Sequence, residues 1–99
     1  PFIFCGISRP RRFRESVRSL GLDDSAFVTL GDHHQHSKAT LVGLDRLREQ
    51  RGCGWFLTTL KDAVKIDPSW IGSTPLYFLR IALHQTAGPD ILTALTKDG

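Results

Sequence analysis

Short apolar runs alternate with amphipathic stretches along this chain, and the two periods predict different elements. Phe2-Ile3-Phe4-Cys5-Gly6-Ile7 is apolar without alternation, the pattern of a strand buried on both faces. Pro10 suits the first position of a helix, where a missing N–H leaves no acceptor unserved. Phe13, Val17 and Leu20 then recur at helical spacing, and Gly21 stops the helix. Residues 26–30 predict a second strand, followed by a polar loop, Gly31-Asp32-His33-His34-Gln35-His36. Ser37 is placed to cap a helix that carries Leu41, Leu44 and Leu47 and ends at Gly52. Residues 55–58 predict a third strand. Thr59-Leu60-Lys61-Asp62 has capping-box form, with Asp62 where glutamate is usual. Asp67-Pro68 and Gly72-Ser73-Thr74-Pro75 bound a loop holding Trp70. Residues 76–83 predict a fourth strand, and Gly88-Pro89-Asp90 opens a short helix with Ile91, Leu92 and Leu95.

Strands that alternate with helices predict a parallel sheet joined by right-handed crossovers. Near-continuous apolar strands need cover on both faces, so the expected fold is a Rossmann-like three-layer α/β/α sandwich. Its sheet is small, mainly parallel and four-stranded, with the order 2-1-3-4. That order reverses direction between the first and third strands, and ligands of such sheets bind beyond the carboxyl ends at the reversal. The loops at residues 6–10, 31–36 and 58–62 all follow strands, so all three are expected on that edge.

Composition narrows the picture without naming a function. Ninety-nine residues, 40% apolar and 23% charged, make one globular domain over residues 1–99 and argue against disorder. The chain has no methionine and opens on an apolar run, which suggests a segment of a longer protein with its first strand at the cut. The net charge of +3 and pI near 9.3 favour anionic partners. Arg9, Arg11, Arg12, Arg14 and Arg18 surround the first helix; Arg46, Arg48 and Arg51 end the second. They are either solvated helix faces or a docking patch for phosphates or anionic lipid. Cys5 and Cys53 sit in apolar, strand-like contexts and read as buried free thiols of a reducing cytosol. No apolar run approaches the ~18 residues of a membrane span, so this piece is expected to be soluble.

Three places carry candidate chemistry. Asp32, His33, His34 and His36 form the densest polar cluster. Its imidazoles and carboxylate suit a metal, acid–base work or a phosphate contact, or else an ordinary solvent-facing loop in which His34 and His36 have no special role. His84 reads as structural. Residues 58–65 put hydroxyls and Lys61 at a helix N-terminus, a place receptive to phosphate. Simple capping explains Thr59 and Asp62 equally well, but it leaves Lys61 unexplained. The turn Gly6-Ile7-Ser8-Arg9-Pro10 is neither G-x-G-x-x-G nor G-x-x-x-x-G-K-[ST]. No P-loop occurs anywhere, so a P-loop nucleotide site has to lie outside these residues.

Together the three turns resemble the tetraacyldisaccharide 4'-kinases, the lipid A kinases. Residues 4–13 resemble that family's A-x-x-G-I-[GA]-x-P-x-x-F stretch, and Gly31-Asp32-His33-His34 its aspartate–histidine motif. Thr59-Leu60-Lys61-Asp62-Ala63-Val64-Lys65 resembles its T-E-K-D-A-V-K signature. The resemblance implies the C-terminal domain of an enzyme that moves the γ-phosphate of ATP to the 4'-hydroxyl of tetraacyldisaccharide 1-phosphate, making lipid IVA. It implies ATP and Mg²⁺ bound by an N-terminal P-loop domain, no cofactor in these residues, and a piece inactive by itself. Expected partners are the lipid A disaccharide 1-phosphate precursor, that P-loop domain and the anionic cytoplasmic face of the bacterial inner membrane; nucleic acid is not among them. His33, with Asp32 orienting its loop, is implied as catalytic, partnering an N-terminal aspartate that serves as base. Lys61 and Asp62 match the lysine and aspartate of the third motif and are expected to bind substrate; Arg9, which departs from the family, is read as a further substrate-binding residue meeting the 1-phosphate or else as an ordinary surface residue. Leu60 replaces the family's glutamate and Arg9 its frequent asparagine. Two rivals stand beside this reading: a metal-dependent phosphoesterase-like domain using Asp32, His33 and His34, and a non-catalytic α/β anion-binding module.

Overall fold

A computed structural model of the chain describes residues 1–31, 36–80 and 91–95, with residues 80 and 91–95 described by their backbone. The elements run β1 (Phe2–Cys5), α1 (Pro10–Ser19), β2 (Phe27–Thr29), α2 (Lys38–Gln50) and β3 (Phe56–Thr59). After these come α3 (Leu60–Ala63), a 3₁₀ turn (Pro68–Ile71), β4 (Leu76–Arg80) and β5 (Ile91–Leu95).

The sheet order is β2-β1-β3-β4-β5, and β1 to β4 are mutually parallel, in the order expected. Register is set by Ile3 opposite Phe27, Ile3 opposite Leu57 and Phe56 opposite Leu76. The fifth strand corrects the sequence reading, which made residues 88–95 a helix. Ile91–Leu95 instead lies antiparallel to β4, with Leu76 opposite Leu95 and Arg80 opposite Ile91. Five residues are too few for periodicity to separate strand from helix. The open edge of β4 offered a row of unpaired backbone groups, and pairing with it satisfies both strands. A second correction is smaller: the loop holding Trp70 contains the 3₁₀ turn, capped by the Asp67 side chain, which accepts from the Ser69 N–H. Residues 81–83 of the expected fourth strand, and His84, lie outside the described residues.

Local signals account for the helices. Pro10 starts α1, and Gly21, at φ 77°, donates its N–H to the Arg18 carbonyl, a left-handed closure that glycine adopts without strain. Ser37 caps α2 by accepting the Thr40 N–H.

Helices cover both sheet faces, which makes the three layers. On one face Phe2, Phe4 and Phe56 pack with Leu41 and Leu44 of α2 and with Ile66 and Ile71. The Phe56 ring meets Phe2 and Phe4 edge-on at 5.8 and 5.5 Å. On the other face Ile3, Cys5, Leu57 and Leu79 receive Phe13 and Val17 of α1. Cys5 is buried as expected, whereas Cys53 is half-buried and lies outside any strand.

Candidate functional site at the carboxyl rim of the sheet

From β1 the chain moves outward to β2, and from β3 it moves the opposite way to β4. The crevice between the carboxyl ends of β1 and β3 is therefore the topological switch point, where ligands of open α/β sheets bind. One carboxylate sits under it. Thr59 caps α3 by accepting the Asp62 N–H at 3.0 Å, the first half of a capping box. The second half departs from the motif. The Asp62 side chain turns inward, accepting the Thr59 Oγ1 hydroxyl at 2.6 Å and the Gly6 N–H at 3.1 and 3.2 Å.

A third donor comes from the segment before α2. The Nε2 of His36 lies 2.9 Å from Asp62 Oδ1, and the two side chains are 0% and 2% exposed. An ionised carboxylate only accepts, so His36 donates through Nε2. Its ring also meets Phe4 edge-on at 6.1 Å. Removing a carboxylate from water costs several kcal/mol unless its lone pairs are filled. Here donors from three separate stretches of chain fill them. Burial first, and then the Asp62 charge, push the Cys5 thiol up to about 11, so Cys5 is a neutral thiol at physiological pH.

The expected site residues fall into three groups. Arg9 and Lys61 are exposed on the turns that Gly6 and Asp62 tie together, Arg9 standing at the N-cap of α1 without a side-chain capping bond. Asp62 is buried beneath the rim and bonds to protein groups. Asp32, His33 and His34 lie outside the described residues. No group of three metal-ligating side chains occurs among the described residues.

The basic residues also divide. Arg14 and Arg18 share one Asp24 oxygen at 2.7 Å each, and Arg14 lies over the Phe27 ring at 5.0 Å. The Arg14 bond first, and then the Arg18 bond, hold the Asp24 carboxyl below the usual range. Arg48 is held by Asp45 and by the Cys53 carbonyl. Arg11 lines a groove of about 520 Å³ with Arg14, Arg18, Phe27 and Thr29, along the edge strand β2.

His36 is the member of the polar cluster whose role the sequence left open. A signal was present: it immediately precedes the N-cap Ser37, where a hydrophobic staple directs a side chain toward the fourth helical position, here the buried Leu41.

Comparison with known proteins bears on the same residues. The sequence profile of the tetraacyldisaccharide-1-P 4'-kinase family matches residues 2–97. Over 99 residues the chain is 29% identical to a tetraacyldisaccharide 4'-kinase of Syntrophus aciditrophicus, covering 97% of the chain and 26% of that protein. A kinase of the same name from Anaeromyxobacter dehalogenans is 31% identical over 91 residues, covering 90% of the chain and 24% of its own length. One from Methylobacterium nodulans is 37% identical over 81 residues, covering 82% and 23%. The chain thus spans about a quarter of the length of the curated relatives it matches. No solved structure matches it.

Proposed function

This chain belongs to the tetraacyldisaccharide-1-P 4'-kinase family, and we propose that it is the C-terminal wall of such a kinase's active-site cleft. In this reading the full protein transfers the γ-phosphate of ATP to the 4'-hydroxyl of a tetraacyldisaccharide 1-phosphate, giving lipid IVA. ATP and Mg²⁺ are assigned to an N-terminal P-loop domain, because the chain's own turns contain no glycine-rich phosphate cradle. Among the described residues there is neither a glycine-rich phosphate cradle nor a group of three metal-ligating side chains to hold them.

The observation that carries the reading is the convergence of three turns at the switch point. Gly6 and Asp62 lie in two of the stretches that resemble the family's motifs, His36 lies two residues after the third, and Gly6 and His36 each hydrogen-bond to Asp62. Phosphoryl transfer asks mainly for positioning and charge neutralisation. Arg9 and Lys61, exposed on the tied turns, supply positive charge toward the acceptor's phosphate. His33, with Asp32 orienting its loop, acts at the reacting hydroxyl by partnering a base from the other domain. The net positive charge of the chain suits peripheral contact with an anionic membrane surface. No helix among the described residues is long and apolar enough to cross a membrane.

The test is His33→Ala in the full-length kinase. Loss of an acid–base partner lowers kcat by about 100-fold. An unchanged kcat removes His33 from the mechanism, and the absence of kinase activity in the parent protein removes the whole reading.

A further inference from the structure

We propose that Asp62 is a positioning residue, a buried carboxylate that fixes the turn bearing Arg9 against the turn bearing Lys61 across the switch point. The inference rests on the reading of Arg9 and Lys61 as contacts to the acceptor's phosphate. Its own basis is separate: the bonding around one side chain.

Gly6 follows β1 and opens the turn that leads within three residues to Arg9. Its N–H is shared by both oxygens of Asp62, at 3.1 and 3.2 Å, across 56 residues of sequence. Lys61 is the neighbour of Asp62 in the single turn of α3, so the spacing of the two exposed cations is set by that bond. The carboxylate cannot swing aside. Thr59 Oγ1 holds one oxygen at 2.6 Å and His36 Nε2 holds the other at 2.9 Å. Thr59 is itself fixed, since it accepts the Asp62 N–H while donating to the Asp62 side chain. The arrangement is buried: Thr59 is 5% exposed and Asp62 2%. A buried charge with protein donors on both oxygens is a rigid link, and it spans the two strands between which the crevice opens. Asp62 therefore acts on substrate through Arg9 and Lys61, without touching it.

Steady-state kinetics of the full-length kinase, run well below each variant's melting temperature, test this. Thr59→Val keeps the shape of the side chain but removes both of its bonds to Asp62, and Thr59→Ser restores them. Thr59→Val is expected to raise the acceptor KM about tenfold, the worth of one hydrogen bond to a charged group, with the ATP KM within twofold of wild type. Thr59→Ser is expected to return the acceptor KM to near the wild-type value. Asp62→Asn, which places an amide N–H among donors, should exceed Thr59→Val in the same direction. His36→Phe, which keeps a ring against Phe4, should raise the acceptor KM less than either.

The proposal is overturned if Thr59→Val lowers only the melting temperature, if it shifts the KM of ATP and acceptor alike, or if Thr59→Ser is as damaged as Thr59→Val. Arg9→Gln and Lys61→Gln separate the two levels. If they raise the acceptor KM while Thr59→Val does not, the positioning role of Asp62 fails alone. If they leave it unchanged, the phosphate-contact reading fails, and the inference with it.

Discussion

The two rims of the sheet are built on opposite principles. At the carboxyl rim the chain buries Thr58, Thr59 and Asp62, all at or just after the end of β3, and adds the His36 imidazole. At the amino rim Trp55 and Tyr77 meet edge-on at 5.0 Å beside Gly54 and Pro75, and backbone bonds from Phe2 to Trp55 and from Phe56 to Pro75 close the strand starts. An apolar closure suffices for stability. Burying a carboxylate costs desolvation, which at this rim is offset by hydrogen bonds from Gly6, Thr59 and His36. The contrast is between a rim closed by an aromatic contact and a rim pinned by a buried, hydrogen-bonded carboxylate.

Asp62→Ala gives the largest effect expected of this contrast. It leaves the Gly6 N–H, the Thr59 hydroxyl and the His36 N–H without their acceptor, and denaturant unfolding should show a loss of about 3–5 kcal/mol. A loss near zero means water already serves those donors, and the contrast is broken. Trp55→Ala at the amino rim comes next. Trp55 is only half-buried, so it should cost about 2 kcal/mol, below the ~3–5 of a fully buried aromatic. Melting temperature should fall while both KM values of the full-length kinase stay unchanged. A shifted acceptor KM would show that the amino rim also sets site geometry. The smallest effect is chemical. Burial and the Asp62 charge keep Cys5 protonated, so a thiol reagent at pH 8 should label the half-buried Cys53 in the native protein and reach Cys5 only after unfolding. Rapid native labelling of Cys5 would show that the carboxyl rim opens to solvent.

The elements that were legible share one feature: their signals are local. Pro10, Gly21 and Ser37 each act within a turn of their own position, and the structure uses each as expected. The Thr59 cap was legible for the same reason. The second half of that motif was not, because Asp62 chose a donor 56 residues away over the nearby backbone. The segment 91–95 was misread because its conformation is decided by the exposed edge of β4. In the candidate site, the turns after the strands could be placed on one edge from topology alone. His36 could not be picked out from its neighbours in a polar run, because its burial depends on the Phe4 ring and on Asp62, 26 residues further along.

The sequence by itself determined the alternation of strands and helices, the parallel order of the first four strands, and the motifs by which the family is recognised. All of these follow from side-chain period and short-range capping. Tertiary structure alone decided that one carboxylate joins the ends of β1 and β3, that His36 is its third partner, and that a fifth strand runs against the other four. Each of those outcomes turns on unsatisfied hydrogen-bonding groups that meet only when distant segments fold together, and no local pattern records which of them will be adjacent.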